Sequence, residues 1–225
     1  MCSRYNPPRQ DVFYEEFKAM PPENLPVGPI FPRTAGVIVR ANEELEREAV
    51  VAHWGLVPSF AKAMPLKFST NNARAESLAT AATFRDAWAR GQRCIIPAES
   101  FDESNWESGR NVWWRFRRAD RRPWGLAGLW NTWLDRERGV FVETYTMLTM
   151  NADAHPLMRR MNKPDPKLPP DQQDKRSVVA IAPADRDVWL RGSQAAAGAL
   201  MRLAPVEDFD AAPEDDRSGT RSLFD

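Results

Sequence analysis

The chain opens MCSRYN, with a cysteine directly behind the initiator methionine. Loss of Met1 would leave Cys2 with a free α-amine beside its thiol, a 1,2-aminothiol. The amine has a reference pKa of about 7.7–8.0 and the thiol about 8.5, so both hold a nucleophilic fraction near neutral pH. Such a terminus condenses with an aldehyde to an imine, and the thiol then closes on the same carbon to give a five-membered thiazolidine. The position alone also fits an incidental cysteine in a loose N-terminus.

A condensation site needs groups that orient the reactants and move protons. STNNARAES (69–77) carries Asn71, Asn72, Arg74 and Glu76 with little apolar content. It reads either as a solvated loop or as a segment in which Asn72 orients a reacting group and Arg74 binds a phosphate through its fixed fork of donors. RCIIPAE (93–99) runs into SFDESNWE, which sets Asp102, Glu103 and Glu107 just past a strand. Carboxylates there are either an acidic turn or the acid and base that imine formation requires. In RNVWWRFRRADRRPW (110–124), strand alternation puts Arg115 and Arg117 on one face and Trp114 and Phe116 on the other. That interleaving suits single-stranded nucleic acid, cation for backbone and ring for base, and equally suits a hairpin with a charged outer face.

The elements that must position these groups read mainly as strands. Runs rich in β-branched and aromatic residues occur at 36–41, 48–54, 93–99, 111–116, 124–130, 140–150 and 177–182. Helical spacing appears at 11–20, 83–90 and 183–190. Strands with interspersed helices, without regular βαβ alternation, predict an α+β fold around a strongly bent, largely antiparallel sheet. With 225 residues and 43% hydrophobic content the chain can bury a single large core, so one domain is expected.

A formal net charge of zero leaves any polyanion site to a local basic patch. The two cysteines, Cys2 and Cys94, give no disulfide framework or zinc spacing, and no metal or other cofactor is expected. No apolar run approaches a membrane span and no signal-peptide layout is visible, so a cytoplasmic protein with no membrane partner is expected. NKPDPKLPPDQQDKR (162–176) reads as a long polar surface loop before a strand. From Pro205 onward the chain is acidic and poor in apolar residues, so 2–204 is read as the domain and 205–225 as a disordered acidic tail. The SLF near its end is similar to short peptides that dock on the bacterial sliding clamp.

The motifs MCSRY, WGLVPSF, NARAES, FRDAW, RCIIPAESFDES and PWGLAGLW, in this order, resemble the SOS response-associated peptidase family, the abasic-site processing proteins. The resemblance spans about residues 2–190. It implies a single compact domain with a twisted, barrel-like, mostly antiparallel β-sheet and peripheral helices, acting as a monomer. It further implies that Cys2, freed by loss of Met1, forms a thiazolidine with the ring-opened sugar of an abasic site in single-stranded DNA. By the same resemblance Asn72 positions the cysteine amine and the sugar, and Glu103 transfers protons. Arg4 and Arg74 are implied to contact flanking phosphates. Trp54, Gly55, Leu56, Pro58 and Thr149 are implied to line the DNA groove, although a tryptophan is usually well buried.

One departure matters. Family members carry a histidine where this chain reads RRMNKP, so Asn162 stands at the expected position, and asparagine cannot take up a proton near neutral pH. His155, seven residues upstream, is the alternative imidazole. Ser3 also replaces the usual glycine. Three functions stay open at this point: a covalent crosslinker with associated lyase and autopeptidase chemistry, a thiol peptidase using Glu103 or His155, and a noncovalent single-strand binding module.

Overall fold

The run Val37-Ile38-Val39 has no polar alternation, which marks a strand covered on both faces. The computed structural model, which describes residues 1–214, bears this out: Ile38 enters one apolar cluster while Val37 and Val39 enter a second. In chain order the elements are β1 (Arg4–Asn6), α1 (Gln10–Phe17), β2 (Ala35–Ala41), β3 (Arg47–Trp54), β4 (Asn72–Arg74), α2 (Arg85–Ala89), β5 (Arg93–Ala98) and β6 (Ser100–Asn105). They continue as β7 (Val112–Arg118), β8 (Trp124–Asp135), β9 (Val140–Asn151), β10 (Arg176–Val178), α3 (Arg186–Arg191), α4 (Gln194–Ala199) and β11 (Phe209–Pro213).

The strands β9-β3-β2-β5-β8 follow one another in the larger sheet, and β8 pairs back onto β9. That closes a five-stranded mixed barrel and removes its free edges. Most pairings are antiparallel, as the sequence predicts, but β3 and β4 both run parallel to β9. A second sheet of order β1-β6-β7-β11 packs its apolar row of Tyr5, Phe101, Phe116 and Ala211 toward the barrel. The helices lie on the periphery. In α1, Phe13 and Phe17 sit four residues apart on one face and are fully buried, each stabilising by about 1.5–3 kcal/mol. The helix ends where Lys18 turns left-handed and its N–H closes onto the Tyr14 carbonyl.

One close approach explains a local glycine. A Cβ at Gly36 would fall 2.3 Å from the hydroxyls of both Tyr5 and Tyr145, so only glycine fits under that pair. The tyrosines share a 2.6 Å hydrogen bond and fill the space between the barrel and the second sheet. No helix among the described residues is long and apolar enough to cross a membrane.

The predicted strands all form, although β10 is short. The stretch after RCIIPAE is not a turn: SFDESN is strand β6, buried on both sides between β1 and β7. Residues 205–214, read from composition as the start of a tail, belong to the fold. Phe209 packs its ring against Phe101, Phe116, Trp124 and His155, and Ala211 also packs on the core. Backbone pairing with β7 supplies the rest. The SLF segment lies outside the described residues.

Candidate active site at the N-terminus

Three separate ladders bring the site together. Antiparallel pairing of β1 with β6 sets Arg4 opposite Asp102 and draws the preceding residues toward Glu103. Parallel pairing of β4 with β9 sets Asn72 opposite Met147, and the Met147 N–H donates to the Asn71 carbonyl at 2.9 Å. The Asn162 N–H donates to the Ser104 carbonyl at 2.6 Å, beside a bridge between Asn105 and Met161. Asn162 itself has φ of 65°, a left-handed conformation that asparagine tolerates better than most side chains. Its carbonyl accepts from the Lys175 ammonium at 2.5 Å.

Cys2 is fully buried at the junction of these elements. Its carbonyl accepts from Asn72 Nδ2 at 2.7 Å and from Asn71 Nδ2 at 3.3 Å, which fixes the backbone that carries the thiol. The thiol donates to the Arg4 carbonyl at 3.4 Å. The Met1 α-amine lies 3.4 Å from Glu103 Oε2 and donates to Asn162 Oδ1. Three buried atoms around this terminus, Asn72 Oδ1, Glu103 Oε1 and Asn162 Nδ2, have no hydrogen-bond partner among the described residues. Buried polar atoms are ordinarily paired, so each unpaired one calls for an explanation.

Burial pushes the Cys2 thiol well above its ordinary range, and the neighbouring Glu103 charge adds to the effect. The thiol therefore stays protonated until a base takes its proton. Glu103 is likewise raised, chiefly by burial, while the N-terminal ammonium opposes that shift. A carboxyl raised in this way can hold a proton closer to neutrality and serve as acid and then as base. Burial holds the Lys175 ammonium below the usual lysine range, with Asp153 acting in the opposite direction.

The other residues singled out in the sequence are placed differently. His155 is a structural ring. Its Nδ1 accepts the N–H groups of Leu157 and Met158, which leaves Nε2 to donate to the Ala204 carbonyl at 2.9 Å. The Trp54, Leu56 and Pro58 side chains are buried, and Trp54 and Gly55 border a cavity shared with Phe68 and Asn71. Trp54 stands beneath the site, stacked on Tyr145 with the Tyr5 edge against it, and its indole N–H donates to the Asn71 carbonyl at 2.7 Å. Gly55 adopts φ of 142° as the chain leaves β3, and the exposed apolar side chains nearby are Phe60 and Phe68. Thr149 is also buried, its hydroxyl donating to the Ala73 carbonyl at 3.4 Å, so it holds β4 to β9. Arg74 is exposed and paired with Asp174 at 2.5 Å. Arg4 is paired with Asp102 at 2.6 Å and also with Glu214.

Asp102, one of the three carboxylates read as an acidic turn or as proton carriers, is paired with Arg4 and Arg115, while Asn71, Lys175 and Glu214 complete the surroundings without a role assigned from the sequence. The doubled asparagine was the available signal for Asn71. Lys175 and Glu214 lie in segments whose composition reads as solvated, and only tertiary contact gives them partners.

The model of the family described as SOS response associated peptidase (SRAP) matches residues 1–216. The chain belongs to this family. Among solved structures, this SRAP protein is similar to one from Bordetella bronchiseptica, with a TM-score of 0.84 and 34% identity over 95% of this chain and 99% of that one. Among characterised relatives it is 35% identical to the abasic site processing protein YobE of Bacillus subtilis, over 43% of this chain and 44% of YobE. It is 25% identical to the abasic site processing protein HMCES of Xenopus tropicalis, over 73% of this chain and 51% of HMCES. The chain spans about half the length of the curated relatives it matches.

Proposed function

We propose that this SRAP protein senses abasic sites in single-stranded DNA and captures them covalently through Cys2 after Met1 is removed. The observation that carries the reading is the convergence of Glu103, Asn162 and the asparagine pair on the two residues that begin the chain. YobE and HMCES are both named abasic site processing proteins, which supports the substrate class.

Hydrolysis of the Met1–Cys2 bond consumes one water and releases methionine, leaving the Cys2 amine free. That amine adds to the C1′ aldehyde of the ring-opened sugar. Protonated Glu103 gives its proton to the departing hydroxyl, so one water leaves and a protonated imine remains. The resulting carboxylate takes the thiol proton, and the thiolate adds to the imine carbon, which neutralises the nitrogen, completes the thiazolidine and leaves Glu103 protonated as it began. Asn72 and Asn71 hold the Cys2 backbone throughout. Asn162 orients by hydrogen bonding and moves no proton. Lyase action at the same imine would need a base for the sugar C2′ proton, and Glu103 is the group beside it.

A thiol peptidase acting on other proteins finds less support, because His155 is engaged with Ala204. Reaction with three strands separates the readings: one abasic, one undamaged, and one carrying a tetrahydrofuran analogue that cannot open to an aldehyde. A denaturant-stable adduct with the abasic strand alone is expected. Equal, salt-sensitive binding to all three without an adduct would leave only the noncovalent module.

A further inference from the structure

Strand register places Arg4, Asp102, Arg115 and Ala212 in one row across β1, β6, β7 and β11. Neighbours across a sheet share a face, so the first three side chains stand side by side on the face opposite the Phe101 row. Asp102 is fully buried beneath the two guanidiniums, 2.6 Å from Arg4 Nε and 3.0 Å from Arg115 Nε. Two cations and one carboxylate leave the row with a surplus of one positive charge. Glu214 meets that surplus from the end of β11, one of its oxygens on Arg4 and the other 2.6 Å from Arg115 Nη2. Its own N–H donates to the Trp113 carbonyl at 2.7 Å, which continues the β11 ladder by one residue. The Trp113 ring lies under the Arg4 guanidinium at 4.9 Å.

We propose that Glu214 occupies, in the free protein, the phosphate contact that the family resemblance implies for Arg4, that Arg115 is the second donor of that contact, and that Glu214 yields it to a backbone phosphate of bound DNA. The proposal rests on the reading that this chain holds single-stranded DNA. A phosphodiester matches what Glu214 supplies: one negative charge spread over two oxygens that both accept from guanidinium donors. Asp102 stays in place during the exchange and keeps the two guanidiniums aligned. The site stands two residues from Cys2 in sequence, so the phosphate it holds belongs to the nucleotides beside the reacting sugar. Glu214 and β11 then act as a strap that the strand must lift, which weakens binding of strands that offer too few other contacts. Removing the carboxylate leaves the surplus charge unanswered in the free protein and available to DNA.

The test is equilibrium binding of a fluorescent undamaged single strand to full-length Glu214→Gln, Arg115→Gln and wild-type protein across a salt series. Glu44→Gln, an exposed change of equal charge far from the row, serves as control. Glu214→Gln is expected to bind about 3–10-fold more tightly near 0.1 M salt. Because one more phosphate contact forms unopposed, its plot of log affinity against log salt should steepen by about 0.7. Arg115→Gln should bind more weakly with a shallower slope, and Glu44→Gln should match wild type. Equal affinity and slope for Glu214→Gln and wild type, while both still crosslink abasic strands, overturns the exchange and leaves the crosslinking reading intact. Absence of both binding and crosslinking in all four proteins overturns the two together.

Discussion

The Lys175 ammonium donates to the Asn162 carbonyl at 2.5 Å, and Asn162 in turn presents its side-chain oxygen to the Met1 α-amine. One buried lysine thereby fixes the residue that stands where relatives are expected to carry a histidine. Both backbone groups of Asn162 are tied, its N–H to Ser104 and its carbonyl to Lys175, and its backbone is left-handed.

Loss of that anchor should slow chemistry more than binding. Lys175→Met keeps the length of the buried stem and removes the donor, whose charge-assisted hydrogen bond contributes about 1.5–3 kcal/mol. Adduct formation under single-turnover conditions should fall by about 10-fold, with affinity for undamaged strands changed less than 2-fold, as order-of-magnitude expectations. A matched loss of both would make Lys175 a DNA contact instead.

Glu103 carries a prediction about pH and stability as well as rate. Its folded pKa is raised by burial, so the folded state binds more protons than the unfolded state as pH climbs past the unfolded value of about 4.3. Stability from this group is therefore present at low pH and is lost as pH rises toward the folded pKa. Glu103→Gln should remove that decline, visible as a flatter thermal midpoint as pH rises above the unfolded value of about 4.3. Crosslinking by the same variant should slow by about 10²-fold or more. An unchanged rate constant would take proton transfer away from Glu103.

The imidazole question separates cleanly. Asn162→His should speed adduct formation or reversal and add a titration near pH 6.5 to the rate profile, while binding of undamaged strands stays nearly constant. His155→Ala should lower stability by about 1–2 kcal/mol through its lost contacts with Leu157, Met158 and Ala204, and leave the rate alone. The reverse pattern, a crippled His155→Ala with a silent Asn162→His, would make His155 the working imidazole.

Residues whose neighbours are set by local pattern were legible in the sequence. The barrel strands announce themselves through unbroken apolar runs such as Val37-Ile38-Val39, and α1 through Phe13 and Phe17. The polar strand β6 was not, because Asp102 and Glu103 are buried by partners far away in sequence, Arg4, Arg115 and the N-terminus. Composition gave no sign of β11 either. Its stability comes from the backbone ladder, the Phe209 ring and Glu214 between two arginines, and a single aromatic among acidic residues does not mark a strand by composition. WGLVPSF was legible as a motif, while the burial of its Trp54 and Leu56 side chains depends on the strands packed over them.

The central claim, that Cys2 captures the lesion, is tested most directly by the intact mass of the protein after reaction with an abasic oligonucleotide and denaturation. The account predicts a chain lacking Met1 that gains one oligonucleotide minus one water, and no such species from Cys2→Ala. Cys2→Ser should give only an imine that borohydride traps. A denaturant-stable adduct on Cys2→Ala, or on a chain that still carries Met1, would contradict it.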